Sequence, residues 1–512
     1  MGTAVTAQLI DDTADGPWVL PKSWAWVPLG RLGDWIGGGT PSKANPAFWS
    51  NGTVPWVSPK DMKVPVIGET EDKITPEAVE GSSAKYVPAG SVLMVMRSGI
   101  LRHSFPVAIT DRIVTLNQDL RALTPHKTVR SDYVARYLAL AATRVLHDCS
   151  KDGTTVNSIE AAALERVPVP LAPLAEQRRI VARVDELFAE IAEGEAALAE
   201  ARKGLDTFRR ALLKAAITGE LTKDWREANP ASESADDLLV RIRTKQMGES
   251  SARNRAPRDA KALDPSALPI LPEGWVWARA EEVTSVITKG TTPPRQTMTA
   301  RGEIPYLKIQ NLDFDGSLHF DRTKVFIDRA THSKLLARSV VYPGDLLINI
   351  VGPPLGQTAI VPSDYPEWNM NQAIAVFRCL PGINVEYMNL FLMSSNALIE
   401  LETRSKATSG QVNVTLEVCR NIAVPVPPAR EAMEIVRRVS EALTANADAL
   451  TMLEAEAADA ARLKQSILKA AFGGRLVTQD PADEPATALL AGLAAEAPAP
   501  TASRGRARKQ TA

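Results

Sequence analysis

The 512-residue sequence is poor in the residues that build disulfide frameworks and metal sites. Its three cysteines, Cys149, Cys379 and Cys419, are far apart and odd in number. They predict no structural disulfide and favour a reducing, cytoplasmic compartment. The five histidines have no ligand spacing among themselves or with a cysteine, so the sequence predicts no metal site.

Long apolar runs and a strong charge of either sign are also absent. No apolar stretch is long enough to span a membrane, and the first residues lack the basic and apolar regions of a secretory signal. The 59 Lys and Arg residues nearly balance the 60 Asp and Glu residues, for a net charge of −1. This balance excludes a generally basic nucleic-acid coat protein, so any nucleic-acid binding must come from a local surface.

Catalytic sequence motifs are a third absence. The chain has no phosphate-binding GxxxxGK(S/T) loop, no GxSxG and no HExxH. It also lacks the Asp/Asn-Pro-Pro-aromatic tetrapeptide of amino-methyltransferases, because the nearest string, Gly352 to Leu355, differs at both ends. A self-sufficient methyltransferase or nuclease is therefore disfavoured, and recognition is the function that remains.

The sequence does contain a long apolar heptad pattern between Pro173 and Gly219. It predicts one helix of about 44 residues, roughly 65 Å long, with a single seam that faces a partner helix. Pro173 and Glu176 suit the first turn of that helix, and Gly219 suits its C-terminal end. The predicted seam residues are Val184, Leu187, Ile191, Leu198, Leu205, Phe208 and Leu212.

An internal duplication supplies the partner helix. LPKSWAWVP from Leu20 recurs as LPEGWVWAR from Leu271, and ALLKAAITGEL from Ala211 recurs as SILKAAFGGRL from Ser466 (466 − 211 = 255). Further matches lie between these in the same order, among them Asn117-Gln118 with Asn371-Gln372. Such fixed-period similarity indicates a repeated architecture. The second helix is predicted from Pro428 to Gly473, with the seam residues Ile435, Val439, Asn446, Leu453, Leu463 and Ile467.

Each repeat begins with a mixed α+β head of short strands and turns, followed by its long helix. The seven predicted segments are a flexible N-terminus (1–17), a first head (18–166), a central region (167–228) with a helix at 173–218, a short helix and linker (229–268), a second head (269–424), a C-terminal region (425–476) with a helix at 428–472, and a disordered tail (477–512).

Loops in both heads place basic and polar residues beside glycine, and such residues suit phosphates and base edges. Taken one at a time, these loops are better explained as ordinary turns with solvated charge. The candidate DNA-contact residues are Thr40, Ser42, Lys43, Ser58, Lys60, Arg97, Ser98, Arg102, Lys151 and Thr154 in the first head, and Lys289, Thr291, Thr292, Arg295, Lys308, Gln310, Asn311, Lys406, Ser409 and Gln411 in the second.

The chain resembles the specificity subunits of type I restriction-modification systems. The resemblance is carried by VPVPLAPLAEQRRIV from Val167, by its weaker copy VPVPPAREAMEIV from Val424, and by the helix ends LLKAAITGELT and ILKAAFGGRLV. The second copy has Pro-Ala-Arg-Glu-Ala-Met from Pro428 in place of the family's Leu-x-Glu-Gln. We therefore do not expect the two helix entries to make identical contacts.

The resemblance implies two target-recognition domains held apart by an antiparallel coiled coil with pseudo-two-fold symmetry. Each domain would read one half of a bipartite, asymmetric site in double-stranded DNA, and the helices would set the spacer. The expected partners are two adenine-N6 methyltransferase (modification) subunits and restriction/translocase subunits. No membrane association is expected. This chain would bind no cofactor, while S-adenosylmethionine, ATP and Mg would be bound by the partner subunits. The alternative is a coiled-coil scaffold with two heads that bind ligands other than DNA.

Overall fold

The computed structural model describes residues 16–151, 156–230, 233–249, 263, 268–352, 354–408 and 411–496. The fold is mixed α+β, as predicted. The chain forms two compact units, unit 1 (Met1–Leu198 with Ala455–Ala512) and unit 2 (Ala199–Glu454). Among the described helices, none is both long enough and apolar enough to cross a membrane.

The helices of the described residues are α1 (Pro76–Glu80), α2 (Ser131–Asp148), α3 (Ala161–Glu165), α4 (Leu174–Ile217), α5 (Lys223–Ala228), α6 (Ala235–Glu249), α7 (Ala280–Val283), α8 (Val385–Met393), α9 (Ser395–Thr403), α10 (Leu416–Asn421), α11 (Ala429–Phe472) and α12 (Ala486–Glu496).

The strands of unit 1 are β1 (Ala25–Pro28), β2 (Gly33–Gly37), β3 (Val54–Val57), β4 (Val66–Ile67), β5 (Asp72–Ile74), β6 (Val92–Val95), β7 (Val107–Thr110), β8 (Thr115–Leu116), β9 (Leu120–Pro125), β10 (Ser150–Lys151), β11 (Ser158–Ile159) and β12 (Pro168–Leu171).

The strands of unit 2 are β13 (Val276–Arg279), β14 (Thr284–Lys289), β15 (Met298–Thr299), β16 (Ile304–Leu307), β17 (Phe326–Ile327), β18 (Val340–Val341), β19 (Leu346–Asn349), β20 (Val351–Gly352), β21 (Thr358–Ile360), β22 (Trp368–Met370), β23 (Ile374–Cys379), β24 (Lys406–Thr408), β25 (Gln411–Asn413) and β26 (Ala423–Val426).

The head in unit 1 is built around a five-stranded sheet in the order β2-β9-β6-β7-β4. The central strand β6 is buried at all four positions, which explains its uninterrupted apolar sequence VLMV. Helix α2 covers this sheet with Tyr133, Val134, Tyr137 and Leu138, all fully or almost fully buried. A second, three-stranded sheet has the order β5-β3-β8.

Unit 2 repeats this plan. Its main sheet has the order β14-β23-β19-β21, and the parallel pair β16–β22 corresponds to the parallel pair β3–β8. The Tyr133 hydroxyl donates to the Pro170 carbonyl at 2.5 Å, and the equivalent Tyr387 hydroxyl donates to the Pro425 carbonyl at 2.6 Å. The duplication in the sequence is therefore also a duplication of the fold.

The two long helices, α4 and α11, have 44 residues each and run antiparallel within each unit. In unit 2, Asn446 Nδ2 donates to the Leu205 carbonyl at 3.1 Å, and Arg438 Nη1 donates to the Leu221 carbonyl at 2.9 Å. The contact moves forward along α4 and the turn after it as it moves backward along α11, which indicates antiparallel axes. In unit 1, Lys464 Nζ lies 2.7 Å from Glu195 Oε2.

The seam follows the predicted heptads at its ends and departs from them at two positions. Val184, Leu212, Ile435, Val439, Asn446 and Ile467 are buried, and Leu187, Ile191, Leu198, Leu205 and Leu453 are half-buried. Phe208 is 47% exposed and Leu463 is 51% exposed, so their assignment to the seam is wrong. The residues after them, Arg209 and Lys464, are half-buried instead, because each has a polar partner nearby, the Phe314 carbonyl and Glu195 respectively. The departure is local, because Leu212 and Ile467, four residues after Phe208 and Leu463, are buried.

The predicted disordered tail is wrong for residues 477–496. Helix α12 lies against the unit 1 core, where Ala486 and Leu489 are buried, and the Ala486 amide donates to the Ser23 carbonyl at 2.9 Å. An ion pair of 2.6 Å between Arg179 and Asp483 holds the segment before it. Residues 497–512, most of the predicted N-terminal segment and most of the predicted linker lie outside the described residues.

Candidate nucleic-acid interface

Three loops of the unit 1 head meet where β2 and β6 end and β9 begins. The Gly38 amide donates to the Leu120 carbonyl at 3.2 Å, and the Met96 amide donates to the Asp119 carbonyl at 2.7 Å. Neighbouring antiparallel strands bring these loops to one end of the sheet. We call this surface loop edge 1, which comprises residues 38–43, 97–102 and 117–119.

The equivalent loops of unit 2 meet in the same way beside β14, β19 and β23. The Gly290 amide donates to the Ile374 carbonyl at 3.1 Å, and the Ile350 amide donates to the Ala373 carbonyl at 2.8 Å. We call this surface loop edge 2, which comprises residues 289–295, 350–352, 354–357 and 371–373. Most of the predicted contact residues with described side chains therefore belong to two equivalent surfaces.

Glycine is required where two of these loops touch. A Cβ atom on Gly38 would lie 1.7 Å from the Asn117 carbonyl oxygen, and one on Gly290 would lie 2.0 Å from the Asn371 carbonyl oxygen. Both distances are far shorter than a van der Waals contact, so only glycine permits this approach. Gly38 and Gly290 therefore allow the loops of each edge to join.

An aromatic side chain supports the same loop in each unit. Trp56 Nε1 donates to the Gly39 carbonyl at 3.0 Å, and the Tyr306 hydroxyl donates to the Thr291 carbonyl at 3.0 Å. Burial raises the pKa of Tyr306 to about 12, so its hydroxyl stays protonated and able to donate. Both side chains are buried, so they are supports within the head and not platforms for base stacking.

A threonine–glutamine pair lies at the same place on each edge. The Thr40 hydroxyl donates to Gln118 Oε1, and the Thr292 hydroxyl donates to Gln372 Oε1. Because the side-chain carbonyl accepts this bond, the glutamine Nε2 group points its two donors elsewhere. A glutamine amide is a suitable partner for the edge of an adenine.

The predicted cations of unit 1 are all exposed, but they differ in their partners. Lys60 lies 3.3 Å from Glu71, Lys151 lies 3.3 Å from Glu160, and Arg97 Nε lies 2.8 Å from Asp119 Oδ1. Within the described part of the chain, Lys43 and Arg102 have no hydrogen-bond or ion-pair partner. Phosphate groups are favourable partners for such unpaired surface charges.

The structure contradicts two predicted contact residues. Ser58 is buried and its hydroxyl donates to Asp61 Oδ2 at 2.9 Å, which closes a local turn. Asn311 is fully buried and its Nδ2 group donates to the carbonyls of His319, Phe320 and Thr323. Both side chains satisfy the protein's own polar groups, so neither is available to DNA.

The remaining candidates fall into three groups. Ser42, Lys289, Thr292, Arg295 and Gln310 are exposed. Ser98, whose hydroxyl accepts from the Ile100 amide at 3.4 Å, is half-buried, as are Thr40, Thr291 and Lys308. Lys406 and Gln411 lie on β24 and β25, while Thr154 and Ser409 lie outside the described residues.

Sequence reasoning missed the residues that hold the loops in place. Gln118 and Gln372 were recognised as a repeated pair but not as site residues, and Asp119 was not singled out at all. Ile100 is 44% exposed at the tip of the 97–102 loop, while its neighbour Leu101 is buried. The repeated Asn-Gln dipeptide was the one available signal, because it shows which loop recurs in both heads.

Two acidic side chains and a histidine lie close together in the head of unit 2. Asp313, Asp315 and His319 offer ligand atoms within 4.8 Å of one another. Arg322 Nη2 donates to Asp313 Oδ2 at 2.6 Å, and Arg209 donates to the carbonyl of Phe314 in the same turn. Two arginines thus already provide positive charge beside these side chains. The cluster is therefore explained as a polar network that joins the head to α4.

A family model for the type I restriction modification DNA specificity domain matches residues 21–201 and 272–451. The chain is 41% identical over 172 residues to the type I restriction enzyme EcoR124I/EcoR124II specificity subunit of Escherichia coli, which covers 33% of this chain and 43% of that relative. It is 27% identical over 393 residues to the EcoKI specificity subunit of Escherichia coli strain K12, with 73% of each chain covered.

A solved structure has a similar fold. It comes from a study of complex assembly and conformational transition in the type I R-M system. The match has a TM-score of 0.62 at 20% identity and covers 90% of this chain and 100% of the other. At this identity the likeness concerns the arrangement of the chain and not individual contacts.

Proposed function

The chain belongs to the type I restriction-modification DNA specificity family, and from this membership we propose that it is the non-catalytic DNA-recognition subunit of such a complex. Each head reads one half of a bipartite, asymmetric site in double-stranded DNA. The observation that carries this proposal is the double construction of the loop edge. The same glycine contact, aromatic support and threonine–glutamine pair recur in two heads whose exposed side chains differ.

The long helices set the length of the spacer between the half-sites. Two continuous helices of 44 residues are much longer than burying a seam requires, and the middle of the seam is only half-buried at Leu198, Leu205 and Leu453. A rod whose middle contributes little burial is suited to spacing rather than to stability. The exposed faces of these helices dock two adenine-N6 methyltransferase subunits.

The partner subunits supply the chemistry and part of the phosphate contact. The methyltransferase subunits bind S-adenosylmethionine, and restriction subunits bind ATP and Mg. An adenine must leave the base stack to be methylated, so heads and partners hold the duplex together. Partner contacts to phosphate also explain how a chain with a net charge of −1 takes part in DNA binding.

The proposal is tested with the full chain, alone and co-expressed with its methyltransferase partner. We expect the chain alone to transfer no methyl group from labelled S-adenosylmethionine to DNA. The complex should protect two half-sites at one fixed spacing and methylate adenines there. Methylation by the chain alone, or a complex without sequence preference, would contradict the proposal.

A pair of matched variants sharpens the test, because Gln118 and Gln372 are equivalent residues in different heads. Gln118→Ala should change the base requirement of one half-site, and Gln372→Ala should change that of the other. Sequencing of methylated adenines in cells that express each variant measures both effects. Both variants altering the same half-site would refute the assignment of one head to each half.

A further inference from the structure

Arg97 lies on loop edge 1, two residues after the end of β6. Its backbone is fixed, because its amide donates to the Asp119 carbonyl at 3.2 Å and the residue forms a bridge with Ser158. Its side chain is 59% exposed, and only the Nε atom is engaged, in a bond of 2.8 Å to Asp119 Oδ1. Within the described residues, the two terminal nitrogens of this guanidinium have no partner.

Asp119 is held in turn by its neighbour. The Asn117 side chain accepts a bond of 2.9 Å from the Asp119 amide and donates one of 3.3 Å to Asp119 Oδ2. The carboxylate therefore has a fixed position and orientation. A guanidinium bound to it through Nε presents its outer Nη atoms as a rigid fork with two donors.

Such a fork is complementary to two acceptors on one edge. The O6 and N7 atoms of guanine in the major groove present this pattern, and bidentate arginine–guanine pairing is the commonest specific contact to DNA. A phosphate group also accepts two bonds from arginine. The sequence requirement of the contact separates the two cases, because a phosphate carries no base identity.

The equivalent position of unit 2 lacks both members of this pair. The bridge between Arg97 and Ser158 corresponds to the pairing of Val351 with Asn413, which places Val351 at the position of Arg97. The residue after the repeated Asn-Gln dipeptide is Ala373 in place of Asp119. Leu101 and Leu355 are buried at equivalent points of the two loops, so the loops share an anchor and differ in what they expose.

We propose that Arg97 reads a guanine in the half-site recognised by the first head, with Asp119 as its positioning residue. This inference rests on the proposed function and adds to it the base and the atoms that are read. The second head has no such contact at the equivalent position, so the two half-sites differ there. This difference contributes to the asymmetry of the whole site.

The test compares methylated motifs in cells that express the complex with Arg97 or its variants. The half-site of the first head is the one altered by Gln118→Ala. Arg97→Ala should abolish the requirement for one guanine in that half-site and leave the other half-site unchanged. Arg97→Lys should weaken that requirement, because an ammonium can donate to the same guanine edge but lacks the planar fork that Asp119 orients. Asp119→Asn should weaken the requirement without removing it, because the amide oxygen still accepts a bond from Nε.

Binding to synthetic duplexes tests the atoms involved. Replacing that guanine by 7-deazaguanine removes the N7 acceptor and should weaken binding of the complex about 5- to 150-fold. The same replacement should have little effect on the Arg97→Ala complex, since the contact is already lost. Arg112→Ala is the control, because the Arg112 side chain is also exposed and ion-paired, with Asp111 and Glu69, but it follows the end of β7 that lies away from loop edge 1.

Three results would overturn the inference. One is a loss of binding with Arg97→Ala that is uniform across base sequences and lowers the salt dependence, as a phosphate contact would give. The second is a guanine requirement that survives undiminished in Arg97→Ala, and the third is full affinity of the unaltered complex for the 7-deazaguanine duplex. A complex that recognises no bipartite site with Arg97 present would instead contradict the proposed function itself.

Discussion

Two buried glutamates at equivalent positions show how single residues differ between the repeats. Glu176 and Glu431 are both 1% exposed, and each accepts a bond of 2.9 Å from a tryptophan, Trp24 and Trp275 respectively. Glu431 also forms an ion pair with Arg226, 21% of whose side chain is exposed. Glu176 has no ion pair among the described residues, and burial raises its pKa.

We therefore expect the same substitution to lower stability at one of these positions only, at neutral pH. Glu431→Gln leaves Arg226 without its counter-charge and should lower the free energy of unfolding by about 1–3 kcal/mol. Glu176→Gln removes a poorly compensated buried charge, keeps an acceptor for Trp24, and should leave unchanged or raise the free energy of unfolding. Urea unfolding of the full chain measures both, and a loss of stability with Glu176→Gln would contradict the argument.

The effect of Glu176 should also depend on pH, with a definite sign. The folded-state pKa of Glu176 lies above the ordinary value of 4.5. At pH values between these two, the native state therefore binds more protons than the unfolded state. The unfolding free energy of the native sequence therefore falls as pH rises through the folded-state pKa. The advantage of Glu176→Gln should be largest at pH 7 and disappear near pH 4.

At the residue scale, the sequence identified the loops of the site correctly, but it was less accurate about which of their side chains are exposed. Ser58 and Asn311 are polar, close to glycine or aromatic residues and in the right loops, yet both are buried. Ser58 bonds to Asp61, three residues away, while Asn311 bonds to carbonyls eight or more residues away. Whether a polar side chain faces solvent or its own backbone depends on the three-dimensional course of the loop, which composition does not encode.

At the scale of elements, the long helices depart from the heptad pattern at Phe208 and Leu463 and return to it at Leu212 and Ile467. Arg209 and Lys464 are equivalent residues (464 − 209 = 255). Each is half-buried, while the apolar residue before it, predicted to lie in the seam, is exposed. Lys464 pairs with Glu195, whereas Arg209 donates to the Phe314 carbonyl in the head of unit 2. The same cationic position therefore joins two helices in one unit and joins a helix to a head in the other.

Asn446 gives an element-scale prediction. It is 6% exposed in the seam and bonds to the Leu205 carbonyl, while the equivalent residue in the first repeat is Ile191 (446 − 191 = 255). Asn446→Ile should raise the free energy of unfolding by about 1 kcal/mol, because burial of the apolar side chain exceeds the net worth of one hydrogen bond. It should also weaken the specification of helix register.

Urea unfolding of Asn446→Ile measures this gain. Thr444→Ile on the exposed face of the same helix serves as the control and should change stability by no more than about 0.5 kcal/mol. A decrease in stability for Asn446→Ile would mean that the Leu205 contact is worth more than the apolar surface that replaces it.

At the scale of the whole molecule, each compact unit is completed by a short helix from outside its head. Helix α12 packs in unit 1, with a bond between the Ala486 amide and the Ser23 carbonyl, and α6 packs in unit 2, with a bond between the Ala235 amide and the Gly274 carbonyl. Each of these helices follows the long helix of the other repeat. The duplication therefore extends beyond the segments from which it was recognised.

The proposed spacing role gives a prediction at this scale. One extra heptad in each long helix, inserted after Leu198 and after Glu454 where the two units divide, adds about 10 Å of helix and keeps the seam in phase. The spacer of the methylated site should lengthen by about 3 base pairs, since DNA rises about 3.4 Å per pair. Both half-sites should keep their sequences, as read from methylated adenines in cells.

A heptad inserted in α4 alone is the control for this change. It places the seams of the two helices out of step and should abolish methylation instead of shifting the spacing. A complex with heptads in both helices and an unchanged spacer would refute the spacing role.

The sequence by itself determined the duplication, the two long helices and the α+β character of the heads. These features depend on local periodicity and on repetition, which are properties of residue order. Only the tertiary structure decided which polar side chains remain free, that Arg209 and Lys464 replace Phe208 and Leu463, and that residues 477–496 fold onto unit 1. Each of these outcomes depends on what a distant segment places opposite a residue, such as Asp119 beside Arg97 or Arg179 beside Asp483.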